Sequence, residues 1–260
     1  AAYTLAPTTG DTLVMRSERK QHMTKHIVER EIGGRTMRFE TGEIARLASG
    51  AIMATYGETT VLISAMRADP RPGLDFFPLQ CDYREKLNAG GKFPGGFKKR
   101  EGPPSEKEIL TMRNMDRPIR PLFPDGFIDE VQIQAWVLSH DGQNDADVIA
   151  CVGASAALSL TDAPFEGPIA TVRVGRIVTK EGEQFVLNPT HAQMEFSDLD
   201  IVMTGHSDGI NMIEVGAAEV LDVPAPEKIE DTGNARWVWP VKHGEILSYF
   251  GAPRRTHRHQ

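Results

Sequence analysis

The chain has 260 residues, 40% of them hydrophobic and 25% charged, with a formal net charge of −7; this is the make-up of an ordinary globular protein with enough apolar residues for a sizeable core. No apolar run reaches the roughly 18 residues that a membrane-spanning helix needs, and the N-terminus lacks a positive region followed by an apolar stretch, so the chain is read as cytoplasmic, with no membrane partner. Its two cysteines, Cys81 and Cys151, sit among apolar or strand-like neighbours, which argues against a disulfide framework or zinc site and for two buried, reduced thiols.

Residues 1–22 show no sustained periodicity and read as an unstructured extension, with Met23 as the candidate natural start. Segments His26 to Ile32 and Arg35 to Glu40 flank Gly33-Gly34, a pair suited to a two-residue hairpin turn with positive φ. Gly50 to Tyr56 and Thr59 to Ala65, around Gly57-Glu58, predict a second hairpin rich in β-branched residues. Asp75 to Tyr83 reads as another strand, with Pro78 favouring an edge or a bulge. Gly90 to Pro104 is a loop. Ser105 and Glu108 form a capping-box pattern, and Ile109, Met112 and Met115 or Asp116 mark helical turns until Pro118 stops the run.

Val131, Ile133, Ala135 and Val137 alternate as in a strand, and the apolar, Ala-rich run Asp145 to Leu160 predicts a buried helix. Gly167 to Val178 with Glu183 to Leu187 predicts a hairpin, followed by strands at Leu199 to Thr204 and Met212 to Val215. The order implies an α/β or α+β core over 23–220, a mixed sheet with packed helices. From Leu221 the texture changes, through Pro224-Ala225-Pro226 and Trp237-Val238-Trp239-Pro240 to a terminal run containing His257 and His259, so 221–260 reads as a linker remnant and a divergent tail rather than a metal site.

An acidic chain is a poor general binder of polyanions, but its charge is uneven. Between Arg84 and Arg120 there are ten basic residues against five acidic ones, which suits attraction of a polyanion at one place. Within that stretch, glycines at 90, 91, 95, 96 and 102 allow the backbone close to a ligand, Lys98, Lys99 and Arg100 can neutralise phosphates, and Phe97 offers a face to a base. A solvated basic turn with Phe97 packed inward fits the composition equally well. Arg113 and Arg117 would share a helix face, with Arg120 just beyond; they either extend the basic track or pair with Asp116 to hold the helix end.

Phe76-Phe77-Pro78-Leu79, Gly95 to Gly102, Pro104-Ser105-Glu106, Asp116 to Pro124 and Gly153 to Leu160 follow one another in an order and spacing that resembles the first RNase PH-type core of the polynucleotide phosphorylase family; Phe165 to Ile169, Leu187 to Thr190 and Ser197 to Asp200 continue the likeness. The resemblance spans roughly His26 to Glu219. It implies a 3′ to 5′ phosphorolytic exoribonuclease (a nucleotidyltransferase of mRNA degradation) in which inorganic phosphate attacks the terminal linkage of single-stranded RNA and releases nucleoside diphosphates with the help of Mg²⁺. It also implies a homotrimeric ring around the RNA path, with Phe97, Lys98, Lys99 and Arg100 on the family's constriction loop, where Lys98 stands in place of a second aromatic.

The resemblance further implies that catalysis belongs to a second, homologous core. Positions matching a serine-rich phosphate pocket read Asp145-Ala146-Asp147, whose carboxylates would repel phosphate. The family's acidic pair is reduced to Asp198, with Ala192 at the other position. No metal is therefore expected on this core alone. A metal site built from Asp145, Asp147, Asp198 and Asp200 is the competing possibility to solvated or capping roles for these carboxylates. A non-catalytic RNA-binding ring subunit and a self-sufficient single-core phosphorolytic enzyme remain alternatives, the second opposed by Asp145 and Asp147.

Overall fold

The computed structural model describes residues 25–179 and 182–218. The expected N-terminal extension over 1–22, the candidate start at Met23 and the expected tail with its histidines and tryptophans lie outside the described residues. Two sheets hold the core. The first has six strands: β1 (His26–Ile32), β2 (Arg35–Thr41), β3 (Gly50–Tyr56), β4 (Thr59–Ala68), β5 (Leu79–Arg84) and β6 (Glu130–Ser139), in the order β1-β2-β3-β4-β6-β5. The second has four antiparallel strands, β7 (Ala170–Thr179), β8 (Gly182–Leu187), β9 (Ser197–His206) and β10 (Gly209–Ala217), in the order β10-β9-β7-β8. Helices α1 (Glu106–Ile119) and α2 (Ala146–Ser159) complete the core, and one short turn, α3 (His191–Met194), follows β8.

Local patterning explains most of these elements. All three expected hairpins form, and Gly33 and Gly34 adopt positive φ (58° and 74°) at the first turn. Ile52, Ala54 and Tyr56 on β3, Val61, Ile63 and Ala65 on β4, and Val131, Ile133, Ala135 and Val137 on β6 all point to one buried face, as a period of two requires. Helix α2 packs against β3 and β4 on one side and β7 on the other. It is buried almost all round, which its sequence permits because a helix without a polar stripe is stable only between layers. Small residues let the layers approach: a Cβ on Gly50 would lie 2.2 Å from the carbonyl oxygen of Ala157 in α2. Gly50→Ala is therefore expected to lower the unfolding free energy by about 1–3 kcal/mol. This would appear as a lower urea midpoint at unchanged slope, and an unchanged midpoint would show that α2 can yield.

Three expectations need correction. The strand expected from Asp75 begins only at Leu79. Pro78 has no N–H to donate and joins the sheet only through its carbonyl, which accepts from the Val131 N–H at 3.1 Å, and β5 is an edge strand, as the proline suggested. Pro118 does not stop α1, which runs to Ile119 and passes into a 3₁₀ turn at Arg120–Leu122; in the last turn the proline forfeits a single helical bond. The buried face of α1 is formed by Glu108, Thr111, Asn114, Met115, Pro118 and Ile119, while Ile109 is 47% exposed. The missed turn α3 was legible: Thr190 and Gln193 form a full capping box directly after Pro189.

Strand β5 lies parallel to β6, and α1 belongs to the crossover between them. The glycine-rich basic segment thus leaves the carboxyl end of β5 and leads into the N-terminus of α1. Phe77, Phe123, Phe127 and Phe165 close one end of the core, with ring centroids 4.6 to 5.6 Å apart. Among the described residues no helix is long and apolar enough to cross a membrane.

Candidate nucleic-acid interface

The basic loop is tied at its base and open at its tip. Leu87–Gly90 form a 3₁₀ turn. The Lys92 N–H donates to the Leu87 carbonyl at 2.9 Å, the Leu87 N–H to Glu101 Oε1 at 2.9 Å, and the His140 N–H, just past β6, to the Ala89 carbonyl at 3.0 Å. The two ends are therefore held together in the manner of an Ω-loop. At the tip, Gly96 has φ of 77° and Lys99 of 46°, a left-handed conformation that costs a lysine something and a glycine nothing.

Phe97 is fully exposed, which decides against its packing inward, and Phe93 is 91% exposed. Lys98, Lys99 and Arg100 are exposed beside them. Phe93 is the residue that the sequence reading passed over, although an aromatic within Lys92-Phe93-Pro94-Gly95-Gly96 was a usable signal.

Tertiary structure sorts the ten cations of this stretch. Arg84 pairs with Asp82, Lys107 bridges Glu85 and Asp145, and Lys86 lies 4.1 Å over the Trp136 ring. Arg120 is a clamp. It makes a two-pronged ion pair with Asp116, at 2.9 and 2.8 Å, and donates to the carbonyls of Phe77 and Leu79, so that it joins the end of α1 to the start of β5. Lys92, Lys98, Lys99, Arg100, Arg113 and Arg117 are exposed and have no carboxylate partner among the described residues. Arg113 and Arg117 lie one turn apart on the solvent side of α1.

The N-terminus of α1 anchors the loop's far end. Ser105 Oγ accepts from the Glu108 N–H, and the Glu108 carboxylate accepts from the Ser105 and Glu85 N–H groups at 2.6 and 2.9 Å. Burial alone would raise the Glu108 pKa; these backbone donors hold it below the usual carboxylate range.

Behind the loop lies a carboxylate cluster whose geometry spacing could not reveal. Asp145, Asp147 and Asp200 converge on Arg173 of β7, at 2.6, 3.4 and 2.8 Å, and Lys107 holds the other oxygen of Asp145 at 2.7 Å. Solvated or capping roles are thereby corrected. Asp145 occupies the N-cap position of α2 without a side-chain cap bond, and Asp147 is buried. Burial and the neighbouring Asp145 push the Asp147 carboxyl up to about 6. Burial also opposes ionisation of Asp145, but Lys107 and Arg173 outweigh it and hold the group below its ordinary value. Arg35 reaches the same region, bonded to Asn144 Oδ1 and the Asn188 carbonyl and lying 4.8 Å over the Tyr56 ring.

Asp198 does not join this cluster. It forms its own two-pronged pair with the buried Arg176, at 2.9 and 2.5 Å. That bonding holds the Asp198 carboxyl below its usual range. The donor set does not fit Mg²⁺: the converging carboxylates are already neutralised by a guanidinium and an ammonium, and no group of three or more metal-ligating side chains is assembled among the described residues. Cys151 is buried and Cys81 partly so, both as free thiols.

Comparison with known proteins identifies the family. Residues 33–164 match the model of the 3′ exoribonuclease family, domain 1, and residues 167–225 that of the 3′ exoribonuclease family, domain 2; the division falls in the segment between α2 and β7. The chain is 53% identical over 208 residues to a polyribonucleotide nucleotidyltransferase of Rhodopirellula baltica, covering 80% of this chain and 27% of that protein. It is 55% identical over 197 residues to one of Hyphomonas neptunium, covering 75% of this chain and again 27% of the relative. It thus spans about a quarter of the length of the curated relatives it matches. Among solved structures it is similar to an archaeal exosome core, at 16% identity and a TM-score of 0.48, covering 76% of this chain and 77% of that one. With both family models matched in sequence order and over most of its length, the chain belongs to the 3′ exoribonuclease family.

Proposed function

We propose that this chain is the first RNase PH-type core of a cytoplasmic 3′ to 5′ phosphorolytic exoribonuclease, and that its own part is to hold and guide single-stranded RNA within a homotrimeric ring. In the complete enzyme an oxygen of inorganic phosphate attacks the 3′-terminal phosphodiester and displaces the O3′ of the preceding nucleotide. A nucleoside 5′-diphosphate leaves, and the RNA is one residue shorter. The name of the curated relatives, polyribonucleotide nucleotidyltransferase, supports this reaction class.

The observation that carries the RNA role is the open tip of the loop, where fully exposed Phe97 stands beside Lys98, Lys99 and Arg100. An aromatic face and three cations without a carboxylate partner among the described residues, on a tied, glycine-rich loop, match a strand with stacked bases and regularly spaced phosphates. Arg113 and Arg117 would extend the track along α1. Arg120 is left out of it, since its guanidinium is committed to Asp116 and two carbonyls.

Catalysis is assigned to a part of the enzyme beyond this chain. Around Arg173 the carboxylates hold the guanidinium in internal ion pairs and leave no free cation there for a phosphate among the described residues, and Asp198 is held by Arg176. The Mg²⁺ implied by the family is placed with the catalytic part for the same reason. These ion pairs also favour the second reading, in which the chain on its own is a non-catalytic RNA-binding subunit. Incubated with poly(A), Mg²⁺ and inorganic phosphate, the purified chain is expected to release no ADP above background, and Asp198→Ala is expected to change nothing. Turnover at an enzyme-like rate, lost in Asp198→Ala, would show that this core carries the active site.

A further inference from the structure

We infer that Phe93 is a second base-stacking platform of the loop, so that the RNA strand is gripped between two aromatic side chains, Phe93 and Phe97, set on either side of the Gly95-Gly96 turn. The inference rests on the RNA reading proposed above and adds a residue to it.

Phe93 is 91% exposed and Phe97 fully so. A phenylalanine left in water forfeits most of the free energy that its burial would supply. One such residue is unremarkable on a protein surface, but two within five positions of one loop are a different matter. Neither ring stacks on the other or on any other ring among the described residues, so both faces of each are open. Their surroundings identify the chemistry of the occupant. From Lys92 to Arg100 the segment has four cations and no anion, and an apolar partner protein would gain nothing from burying those charges unpaired. A polyanion with flat, stackable groups satisfies both features at once.

The backbone is suited to the task. The bonds from Lys92 to Leu87 and from Leu87 to Glu101 fix the base of the loop immediately beside Phe93, Pro94 restricts φ at the next residue, and Gly96 at φ of 77° turns the chain towards Phe97. Phe93 thus stands at the rigid end of the loop and Phe97 at the open tip. In this arrangement Phe93 supplies the stacking surface that Lys98 does not.

Binding of a fluorescein-labelled oligoadenylate to the full chain tests the assignment, with Phe93→Ala, Phe93→Trp and the loop variant Lys98→Ala/Lys99→Ala/Arg100→Ala measured across a salt series. Phe93→Ala is expected to weaken binding about tenfold with an unchanged salt slope, and Phe93→Trp to restore it. On an oligonucleotide of the same length with abasic positions, Phe93→Ala is expected to cost nothing further. If Phe93→Ala binds as the parent chain does while the loop variant is weakened, Phe93 is no platform and the RNA reading stands. Unchanged RNA binding with altered sedimentation would assign Phe93 to protein contact and overturn the inference. If neither variant is weakened, the RNA reading itself falls.

Discussion

Arg173→Ala is expected to lower the unfolding free energy by about 3–5 kcal/mol near neutral pH, the cost typical of leaving buried charges without their counter-ion. Arg173 is the common partner of Asp145, Asp147 and Asp200. Its loss leaves Lys107 as the remaining cation beside Asp145, with Asp147 buried and unpaired. The defect should depend on pH. In the folded chain the Asp147 carboxyl titrates at about 6, above its ordinary value of 3.8, so between those two values the folded state binds the proton more tightly than the unfolded state, and stability falls as pH rises through that window. Removing the guanidinium, which favours the ionised form of Asp147, moves the upper end of the window higher. The gap between variant and parent should therefore be widest at mildly alkaline pH and narrow towards pH 5. Asp145, held below its ordinary value by Lys107 and Arg173, acts in the opposite sense, and its contribution is lost only as pH falls below about 4. Urea unfolding at several pH values measures all of this. A variant within about 1 kcal/mol of the parent at every pH would show that solvent reaches the cluster and replaces the ion pairs.

Replacing Lys98, Lys99 and Arg100 together by alanine is expected to have the largest effect on RNA binding. If each neutralises one phosphate, the salt dependence of log K for single strands loses about 0.7 per contact, hence about 2 units of slope in all. Near 0.1 M salt that corresponds to roughly a hundredfold weaker binding, shrinking as salt rises. The three side chains are exposed and have no carboxylate partner among the described residues, so stability should change by no more than about 0.5 kcal/mol. An unchanged slope in a folded variant would mean that the loop is off the RNA path. Arg120→Ala is the informative contrast. Its clamp on Asp116, Phe77 and Leu79 makes it a stability residue, although in sequence it lies in the same basic stretch.

The sequence contained the elements because their signals are local. Alternation with a period of two in β3, β4 and β6, Gly33-Gly34 at a hairpin turn, and Ser105 with Glu108 at the start of α1 each involve residues a few positions apart, and all of them form. The order and spacing of the motifs were enough to point to the family. The errors came where a local rule met a tertiary context. A proline in the last turn of α1 costs too little to end a helix whose Met115 and Ile119 are fully buried, and Ile109 stays outside because the buried face is decided by what α1 packs against.

What only the tertiary structure decided is the fate of the charges. Arg173 meets Asp145, Asp147 and Asp200 because β7 and β9 pair in one register and α2 packs on β7; no spacing along the chain encodes that meeting. The same holds for the basic stretch, where Arg84, Lys107 and Arg120 find carboxylate partners and, among the described residues, Lys98, Lys99 and Arg100 do not. A side chain's charge is legible in the sequence, but whether that charge is already neutralised depends on contacts between segments far apart in the chain, and that distinction separates a structural cation from one free to meet RNA.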